Sequence, residues 1–230
     1  MTVRKLICFS VLALWLAQAA QAEERAWRLV TDRDGIRVYM AHNDESSIKT
    51  FRGEGVIPMT DFRAIGNQVD DYEVIASWMH MISSISELER DSAVDRRIWV
   101  TTRLPWPVSN RDAALDLQIR QEPDTHTVVV AYQANDTLLA PQSGYVRMPA
   151  LKGMLRFTPE APGQVHVTFE VVLDPGGYIP AWIANLILRD IPYFSLRRFQ
   201  RVADQERFRN HDTGLYRIPS GWPGAAEQVQ

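Results

Sequence analysis

The side chains that could perform chemistry are scattered along this chain. Its five histidines are His42, His80, His126, His166 and His211. No two of them stand two or four positions apart, the spacings that place two imidazoles on one metal ion. No serine lies in a Gly-X-Ser-X-Gly motif, although a Ser-His-Asp triad assembled in space stays open. The sequence therefore predicts no metal site, no cofactor and no catalytic residue.

Two arginines stand in short polar motifs between apolar segments. Arg111 and Asp112 end the motif Ser-Asn-Arg-Asp at 109–112, which predicts a tight turn held by side-chain hydrogen bonds to the backbone. We expect Arg111 to pair with an acid and hold this corner, and direct contact with a ligand is the alternative. The same two interpretations apply to Arg147, at the end of Gly-Tyr-Val-Arg.

A strand and a long helix must position these motifs. Val165, Val167, Phe169, Val171 and Leu173 alternate with polar residues, which predicts a strand with one apolar face. The intervening His166 and Glu170 then project outward. From Ile179 the apolar residues recur at the three-to-four spacing of an amphipathic helix.

Glycine and proline mark the ends of that helix and a break within it. Gly176 and Gly177 form a flexible corner between the strand and the helix. Pro180 suits the first helical turn, and Pro192 predicts a kink. The corner and Pro192 are the two places where we expect the backbone to yield if the helix moves.

The remaining segments predict an antiparallel sheet. We expect a short helix at 24–30, a hairpin of 36–39 with 47–57, helices at 61–69 and 70–75, and strands at 79–88, 97–104, 112–120, 127–135, 145–148 and 151–158. Gly53 and Gly55 indicate a bend in the hairpin, with close approach of another group as the alternative. The order indicates an α+β fold in which a curved antiparallel sheet wraps around a long C-terminal helix. Such a sheet encloses more volume than one helix fills, which predicts an internal apolar cavity.

The first 22 residues have the three parts of a secretory signal peptide. Arg4 and Lys5 precede an apolar run at 6–16, and Ala-Gln-Ala at 20–22 is a small-residue cleavage site. An uncleaved anchor is the alternative, but the run is shorter than the ~20 residues that span a bilayer. We therefore expect a signal peptide at 1–22, a domain at 23–210 and a tail at 211–230, in a bacterial-type periplasm or outside the cell.

Charge and cysteine content exclude some classes of protein. The formal net charge is −3 and becomes more negative once Arg4 and Lys5 are removed, which argues against a nucleic-acid partner. The single cysteine, Cys8, lies in the predicted signal peptide. The mature chain then has neither a disulfide nor a thiol nucleophile.

Four motifs together resemble START domains, the lipid-transfer modules related to steroidogenic acute regulatory protein. They are Pro-Trp-Pro-Val-Ser-Asn-Arg-Asp at 105–112, Gly-Tyr-Val-Arg at 144–147, Val-Thr-Phe-Glu at 167–170 and Asp-Pro-Gly-Gly-Tyr-Ile-Pro-Ala-Trp at 174–182. They occur in the order and spacing of that family, and the resemblance covers 27–207. It looks closest to the phosphatidylcholine-transfer members, which share the Ser-Asn-Arg-Asp turn and the Pro-Gly-Gly corner.

The resemblance implies a helix-grip fold with a lipid tunnel between sheet and helix and no catalytic apparatus. In sterol-binding members a buried acid and a buried arginine anchor the ligand. The matching positions here are Ile98 and Leu117, both apolar. The sterol anchor is therefore missing, which favours an acyl-chain ligand.

The resemblance and the apolar pattern together give the candidate site residues. Those expected to line a lipid pocket are Ile98, Val100, Leu115, Leu117, Val167, Phe169, Val171, Ile183, Leu186 and Ile187. Tyr178, Trp182 and Arg147 are candidates for headgroup contact or a gate, with core packing as the alternative for Trp182. Arg111, Asp112, Gly176 and Gly177 are assigned a structural role.

The predicted function is non-catalytic binding and transfer of a hydrophobic lipid, a phospholipid or another acyl-chain lipid, with transient membrane contact. One alternative is a helix-grip enzyme, a cyclase or hydrolase acting on a hydrophobic small molecule. A lipid sensor that does not transfer its ligand is the other. The sequence identifies no protein partner.

Overall fold

The computed structural model describes residues 26–43, 46–209, 214–223 and 225. The predicted signal peptide lies outside the described residues, as does much of the predicted tail. The proposed domain boundaries therefore stay predictions.

Ten strands form one sheet in the described part of the chain. They are β1 (Arg28–Arg33), β2 (Ile36–Asn43), β3 (Ser46–Pro58), β4 (Ile82–Arg90), β5 (Asp95–Thr102), β6 (Arg111–Gln121), β7 (Val128–Ala134), β8 (Val146–Arg147), β9 (Ala150–Ala161) and β10 (Gln164–Asp174). The strand order is β1-β2-β3-β10-β9-β7-β6-β5-β4 with antiparallel pairing throughout. The short β8 lies outside this order and pairs in parallel with β6.

Three α-helices accompany the sheet in the described residues: α1 (Ala64–Asp70), α2 (Tyr72–Trp78) and α3 (Ala181–Val202). A 3-10 turn at Glu206–Phe208 follows α3. None of the described helices is both long enough and apolar enough to cross a membrane. The sheet and the long C-terminal helix confirm the predicted α+β helix-grip fold.

The short helix predicted at 24–30 is wrong, because the described part of that segment enters a strand. β1 pairs with β2, with Arg33 opposite Ile36. Asp34 and Gly35 join the two strands with φ values of 56° and 72°. Two successive residues at positive φ match the twist of a two-residue hairpin turn, which favours strand pairing here.

Helix α1 begins later than the sequence predicts, at Ala64 and not near residue 61. Thr60, which precedes the predicted helix, donates from its backbone N–H and its hydroxyl to the Asp204 carboxylate, each at 2.7 Å. The Asp61 carboxylate accepts from the Arg63 guanidinium at 2.9 Å. Both polar side chains therefore have partners outside the helix, and the chain turns before α1 starts.

Close packing at Gly53 seats the second half of α3 on the sheet. A Cβ atom at Gly53 would lie 2.7 Å from Cβ of Pro192 and 3.2 Å from Cδ1 of Leu196. One at Gly55 would lie 2.8 Å from the carbonyl oxygen of Gly35. Close approach of another group, the alternative interpretation of these glycines, therefore holds at both positions.

Candidate functional site

An apolar cavity lies between the inner face of the sheet and the helices. The sheet contributes Ile98, Val100, Leu115, Leu117, Val130, Tyr132, Leu151, Leu155, Phe157, Phe169, Val171 and Leu173. Helix α3 contributes Ala184, Ile187, Leu188, Ile191 and Phe199, and α1 and α2 contribute Ile65, Gln68, Val69, Tyr72, Ile75 and Trp78. With few polar groups among many apolar ones, the lining suits a hydrophobic ligand.

The cavity is narrow relative to a lipid. Its volume is about 150 Å³. An engineered apolar cavity of roughly 150 Å³ in another protein holds benzene. A ligand with long acyl chains therefore requires the walls to separate.

Seven of the ten predicted pocket residues lie on the cavity wall: Ile98, Val100, Leu115, Leu117, Phe169, Val171 and Ile187. Val167 is fully buried in the packed core instead, because the cavity follows only the half of β10 that leads to Asp174. That these residues bind lipid stays a prediction.

Ile183 and Leu186 also lie off the wall. The inward face of α3 is formed by Ala184, Ile187, Leu188 and Ile191, so the predicted face is out of phase by one residue at both positions. One residue corresponds to about 100° of rotation. Leu186 is accordingly 46% exposed.

Two ends of the cavity can be distinguished along α3. The corner end is formed by Leu104, Arg111, Pro175 and Ile179, and the far end by Ile65, Gln68, Trp78 and Phe199. A helix rises 1.5 Å per residue, so the 18 positions of α3 from Ala181 to Phe199 span roughly 27 Å between these ends.

Arg111 fixes the corner end. Its guanidinium donates from Nε to the Pro175 carbonyl and from Nη2 to the Gly176 carbonyl, both at 3.1 Å, and from Nη1 to the Ser109 carbonyl. The expected acidic partner is replaced by these three carbonyls. Burial lowers the pKa of Arg111 from its usual range. Arg111 therefore ties the Ser-Asn-Arg-Asp turn to the Pro-Gly-Gly corner, and the choice between a purely structural role and ligand contact stays a prediction.

Gly176 is required at this corner by both conformation and space. Its φ is 61°, in the region that favours glycine, and a Cβ there would lie 2.8 Å from Cδ of Pro149 and 2.9 Å from the Arg147 carbonyl oxygen. Gly177, with φ of 65°, follows in the same conformation.

Arg147 is held by Asp112 and does not line the cavity. Its Nε donates to Oδ1 of Asp112 at 3.0 Å and its Nη2 to Oδ2 at 2.9 Å. Trp99 Nε1 donates to the same Oδ2 at 3.0 Å. Burial raises the pKa of the Asp112 carboxyl, but the hydrogen bonds from Arg147 and Trp99 outweigh it, and the net pKa is below its ordinary value. The structure therefore gives Arg147 an acidic partner, and its contact with a headgroup stays a prediction.

The other two candidate gate residues project into solvent. Tyr178 is 100% exposed and Trp182 is 70% exposed, so core packing, the alternative for Trp182, does not apply. Trp106 is also exposed, in the turn that Arg111 ties to the corner. We call Trp106, Tyr178, Trp182 and Leu186 the corner patch.

Sequence reasoning missed the polar atoms on the cavity wall. Among the described residues, Gln68 Oε1, Trp78 Nε1 and His80 Nδ1 are buried without a hydrogen-bond partner, and all three residues line the cavity. The direction in which these polar atoms point depends on how α1, α2 and the residues that follow α2 pack against α3. The local sequence does not predict that packing. Tyr132 also lines the wall, and its alternation with Val130 is a signal that would have found it.

A curved sheet that wraps around one helix, with an apolar cavity between them, defines a class of fold. Comparison with known proteins identifies that class. The model of the START domain family matches residues 12–206. An uncharacterized protein of Pseudomonas aeruginosa is 30% identical over 187 residues, which cover 81% of this chain and 91% of that protein. Phosphatidylcholine transfer protein of Bos taurus is 25% identical over 74% of this chain and 80% of its own length. The chain belongs to the START domain family, as its motifs predicted.

Solved structures agree with this assignment. A STAR-related lipid transfer protein from Xanthomonas axonopodis matches with a TM-score of 0.70 and 27% identity, covering 78% of this chain and 99% of that one. Human StAR-related lipid transfer protein 5 matches with a TM-score of 0.71 over 88% of this chain and 98% of its own. At 14% identity it shares the fold.

Proposed function

We propose that this protein binds a lipid with acyl chains in its cavity and carries it between membranes without catalysis. The observation that carries the proposal is an apolar cavity under α3 in a member of the START domain family. Relatives named for lipid transfer and for phosphatidylcholine transfer support it. Apolar Ile98 and Leu117 on the wall favour acyl chains over a sterol.

The two halves of α3 suggest how the cavity opens. The second half is anchored, since Leu196 and Phe199 are buried and Pro192 packs against Gly53. The first half roofs the cavity through small and aliphatic side chains, and Asn185 Oδ1 accepts from the Lys49 backbone N–H at 3.3 Å. Opening therefore requires the first half of α3 to lift from the sheet, with the backbone yielding at the glycine corner and near Pro192, as loop and helix gates do in other proteins.

The residues that line the cavity support an enzymatic role less than they support lipid binding. Its titratable members include Tyr72, His80, Arg111 and Tyr132. Arg111 is bound to backbone carbonyls and the Tyr72 hydroxyl donates to Glu87 at 2.7 Å. In the described part of the chain no hydrogen bond joins any two of these four side chains, so no acid–base pair supports a cyclase or hydrolase.

Lipid extraction tests the binding step. The protein is purified without detergent, its bound lipids are extracted and identified by mass spectrometry, and uptake of a fluorescent acyl-chain lipid is measured. We expect stoichiometric lipid of one class. Absence of both bound lipid and uptake contradicts the proposal. Transfer between donor and acceptor vesicles then separates a carrier from a sensor, because a sensor binds lipid without delivering it.

The corner patch supports transient membrane contact. Its exposed aromatic and aliphatic side chains are of the kind found at membrane interfaces. We expect Leu186→Ala to slow lipid transfer between vesicles several-fold by weakening docking, while lipid affinity in solution is unchanged. Leu29→Ala is the matched control, because Leu29 on β1 is 48% exposed against 46% for Leu186. Equal transfer rates for the two variants would place the docking surface elsewhere.

Residues 1–22 support a periplasmic or extracellular location for the mature protein. Expression of the full chain in a Gram-negative host, followed by fractionation and intact-mass measurement, tests this. We expect a mass that corresponds to cleavage after Ala22. A cytoplasmic protein of full mass contradicts it.

A further inference from the structure

At the far end of the cavity, two buried polar atoms of the described residues have no hydrogen-bond partner. Gln68 and Trp78 are 3% and 4% exposed, and both line the wall. The Gln68 Nε2 donates to the Ala203 carbonyl at 3.0 Å. A carbonyl oxygen only accepts, so the orientation of the amide is fixed and its Oε1 points away from Ala203. That Oε1 is buried without a partner, and so is the Trp78 Nε1–H.

Helix α3 brings these two groups to one place. The Trp78 ring packs on Phe199 with centroids 4.9 Å apart, while Gln68 binds Ala203. Phe199 and Ala203 are one helical turn apart, and the Ala203 N–H donates to the Phe199 carbonyl at 2.8 Å. Residues four apart on a helix lie about 5–6 Å apart at Cβ. The free acceptor and the free donor therefore belong to the same end of the cavity.

Their chemistry selects a ligand group. A buried polar atom without a partner costs about 1–3 kcal/mol, so a ligand that satisfies both atoms gains affinity. Gln68 Oε1 only accepts and Trp78 Nε1–H only donates, whereas a hydroxyl group does both. An ester or ether oxygen satisfies only Trp78, and so does an ionised carboxylate or phosphate, which in addition repels Oε1.

We propose that the far end of the cavity is a subsite for an uncharged hydroxyl group of the lipid. The hydroxyl donates to Gln68 Oε1 and accepts from Trp78 Nε1–H. The ligand class is then an acyl lipid with a free hydroxyl, such as a monoacylglycerol or a long-chain alcohol. This inference rests on the proposed function, because it concerns the same cavity, and it narrows the ligand within it.

Three probes with equal numbers of non-hydrogen atoms separate the two hydrogen bonds. They are tridecane, which makes no hydrogen bond, 1-methoxyundecane, which only accepts, and 1-dodecanol, which accepts and donates. Their affinities for the purified protein, freed of bound lipid, are measured by displacement of the apolar dye N-phenyl-1-naphthylamine. The variants are Trp78→Phe, which keeps a ring against Phe199, and Gln68→Leu.

We expect a pattern that a packing defect does not reproduce. Relative to tridecane, Trp78→Phe weakens binding of both the alcohol and the ether by about tenfold, the equivalent of one lost hydrogen bond. Gln68→Leu weakens binding of the alcohol by a similar factor and leaves the ether unchanged. Unchanged tridecane affinity shows that the cavity of each variant is intact.

Two outcomes overturn the proposal, and they are distinguishable. If tridecane binds but the alcohol-to-alkane ratio is the same in the wild type and both variants, the two polar atoms are satisfied by water alone and the subsite does not exist, while the proposed function stands. If neither tridecane nor dodecanol displaces the dye from the wild type, the cavity takes no acyl chain and the proposed function fails together with the subsite.

Discussion

Asp112 is a fully buried carboxylate whose two oxygens accept from the guanidinium of Arg147 and the indole of Trp99. The Arg147 Nη1 also donates to the Leu139 carbonyl at 2.8 Å, so one arginine joins β8, β6 and the preceding loop. Such a pair orders the corner end, and removal of one partner leaves a buried charge uncompensated.

Loss of Arg147 is therefore expected to be costly. We predict that Arg147→Leu lowers the free energy of unfolding by about 3–5 kcal/mol, the usual cost of breaking a buried ion pair. Urea denaturation followed by circular dichroism measures it. Arg156→Leu is the control, since Arg156 pairs with Glu122 at 2.9 Å where both side chains are about one-third exposed, and exposed pairs contribute about 0–1 kcal/mol. Equal losses in the two variants would contradict a special role for the buried pair.

His80 gives the stability a pH dependence. Burial lowers the pKa of His80, the positive charge of Arg198 lowers it further, and Asp190 opposes both. The unfolded chain then binds a proton at His80 more readily than the folded one, so stability is full above the ordinary pKa of about 6.5 and is lost as the pH falls below it.

We predict that this loss is reduced in His80→Gln. The free energy of unfolding of the wild type is measured by urea denaturation at intervals between about pH 7 and pH 5, across the ordinary histidine pKa. The variant should show a shallower decline over the same interval. His42→Gln, at an exposed position of β2, should follow the wild type. A decline as steep in His80→Gln as in the wild type would assign the pH dependence to other groups.

At the scale of elements, the two halves of α3 differ in how closely the sheet approaches them. Its second half rests on β3, where Gly53 leaves room for Pro192 and Leu196. Its first half faces the cavity and carries the exposed Trp182 and Leu186 on its outer side. The same helix therefore combines a second half that packs directly on β3 with a first half that faces the cavity.

A side chain at Gly53 tests the fixed end. We predict that Gly53→Ala lowers the free energy of unfolding by about 1–3 kcal/mol, because its Cβ would sit 2.7 Å from Cβ of Pro192 and force the helix outward. The measurement is chemical denaturation, with a crystal structure of the variant to locate the shift. Unchanged stability and an unmoved helix would show that the contact relaxes without cost.

The order of strands and helices along the chain was predictable from sequence, whereas the rotation of α3 about its own axis was not. The change from period two to a three-to-four spacing at Gly176 and Gly177 predicted β10 and α3, and four motifs predicted the family. The inward face of α3 was misplaced because Trp182 and Leu186 are apolar yet exposed, so apolar side chains cover more of the helix than its buried face. Gln68 meets Ala203 across 135 positions of sequence, a contact that no local pattern specifies.

For the whole molecule, the cavity represents a conflict between stability and function. A fully packed interior would be more stable, because a void forfeits the contacts of the atoms that line it. A carrier must nevertheless keep room for a chain between its sheet and its helix. A substitution that fills the cavity should therefore raise stability and reduce lipid uptake together.

Ala184 is the position at which to test this, because its methyl group lies on the cavity wall in the first half of α3. We predict that Ala184→Phe places its ring in the cavity, since a void of about 150 Å³ accommodates a benzene ring. The free energy of unfolding should rise by about 0.5–2 kcal/mol, as cavity-filling substitutions commonly achieve. Uptake of a fluorescent acyl-chain lipid should fall by about tenfold, or ~1.4 kcal/mol of binding energy.

Ile183→Phe is the control: it adds a ring at the neighbouring residue, which lies off the cavity wall, and should leave uptake unchanged. If Ala184→Phe gains stability and still takes up lipid as the wild type does, acyl chains bind at a place other than this cavity.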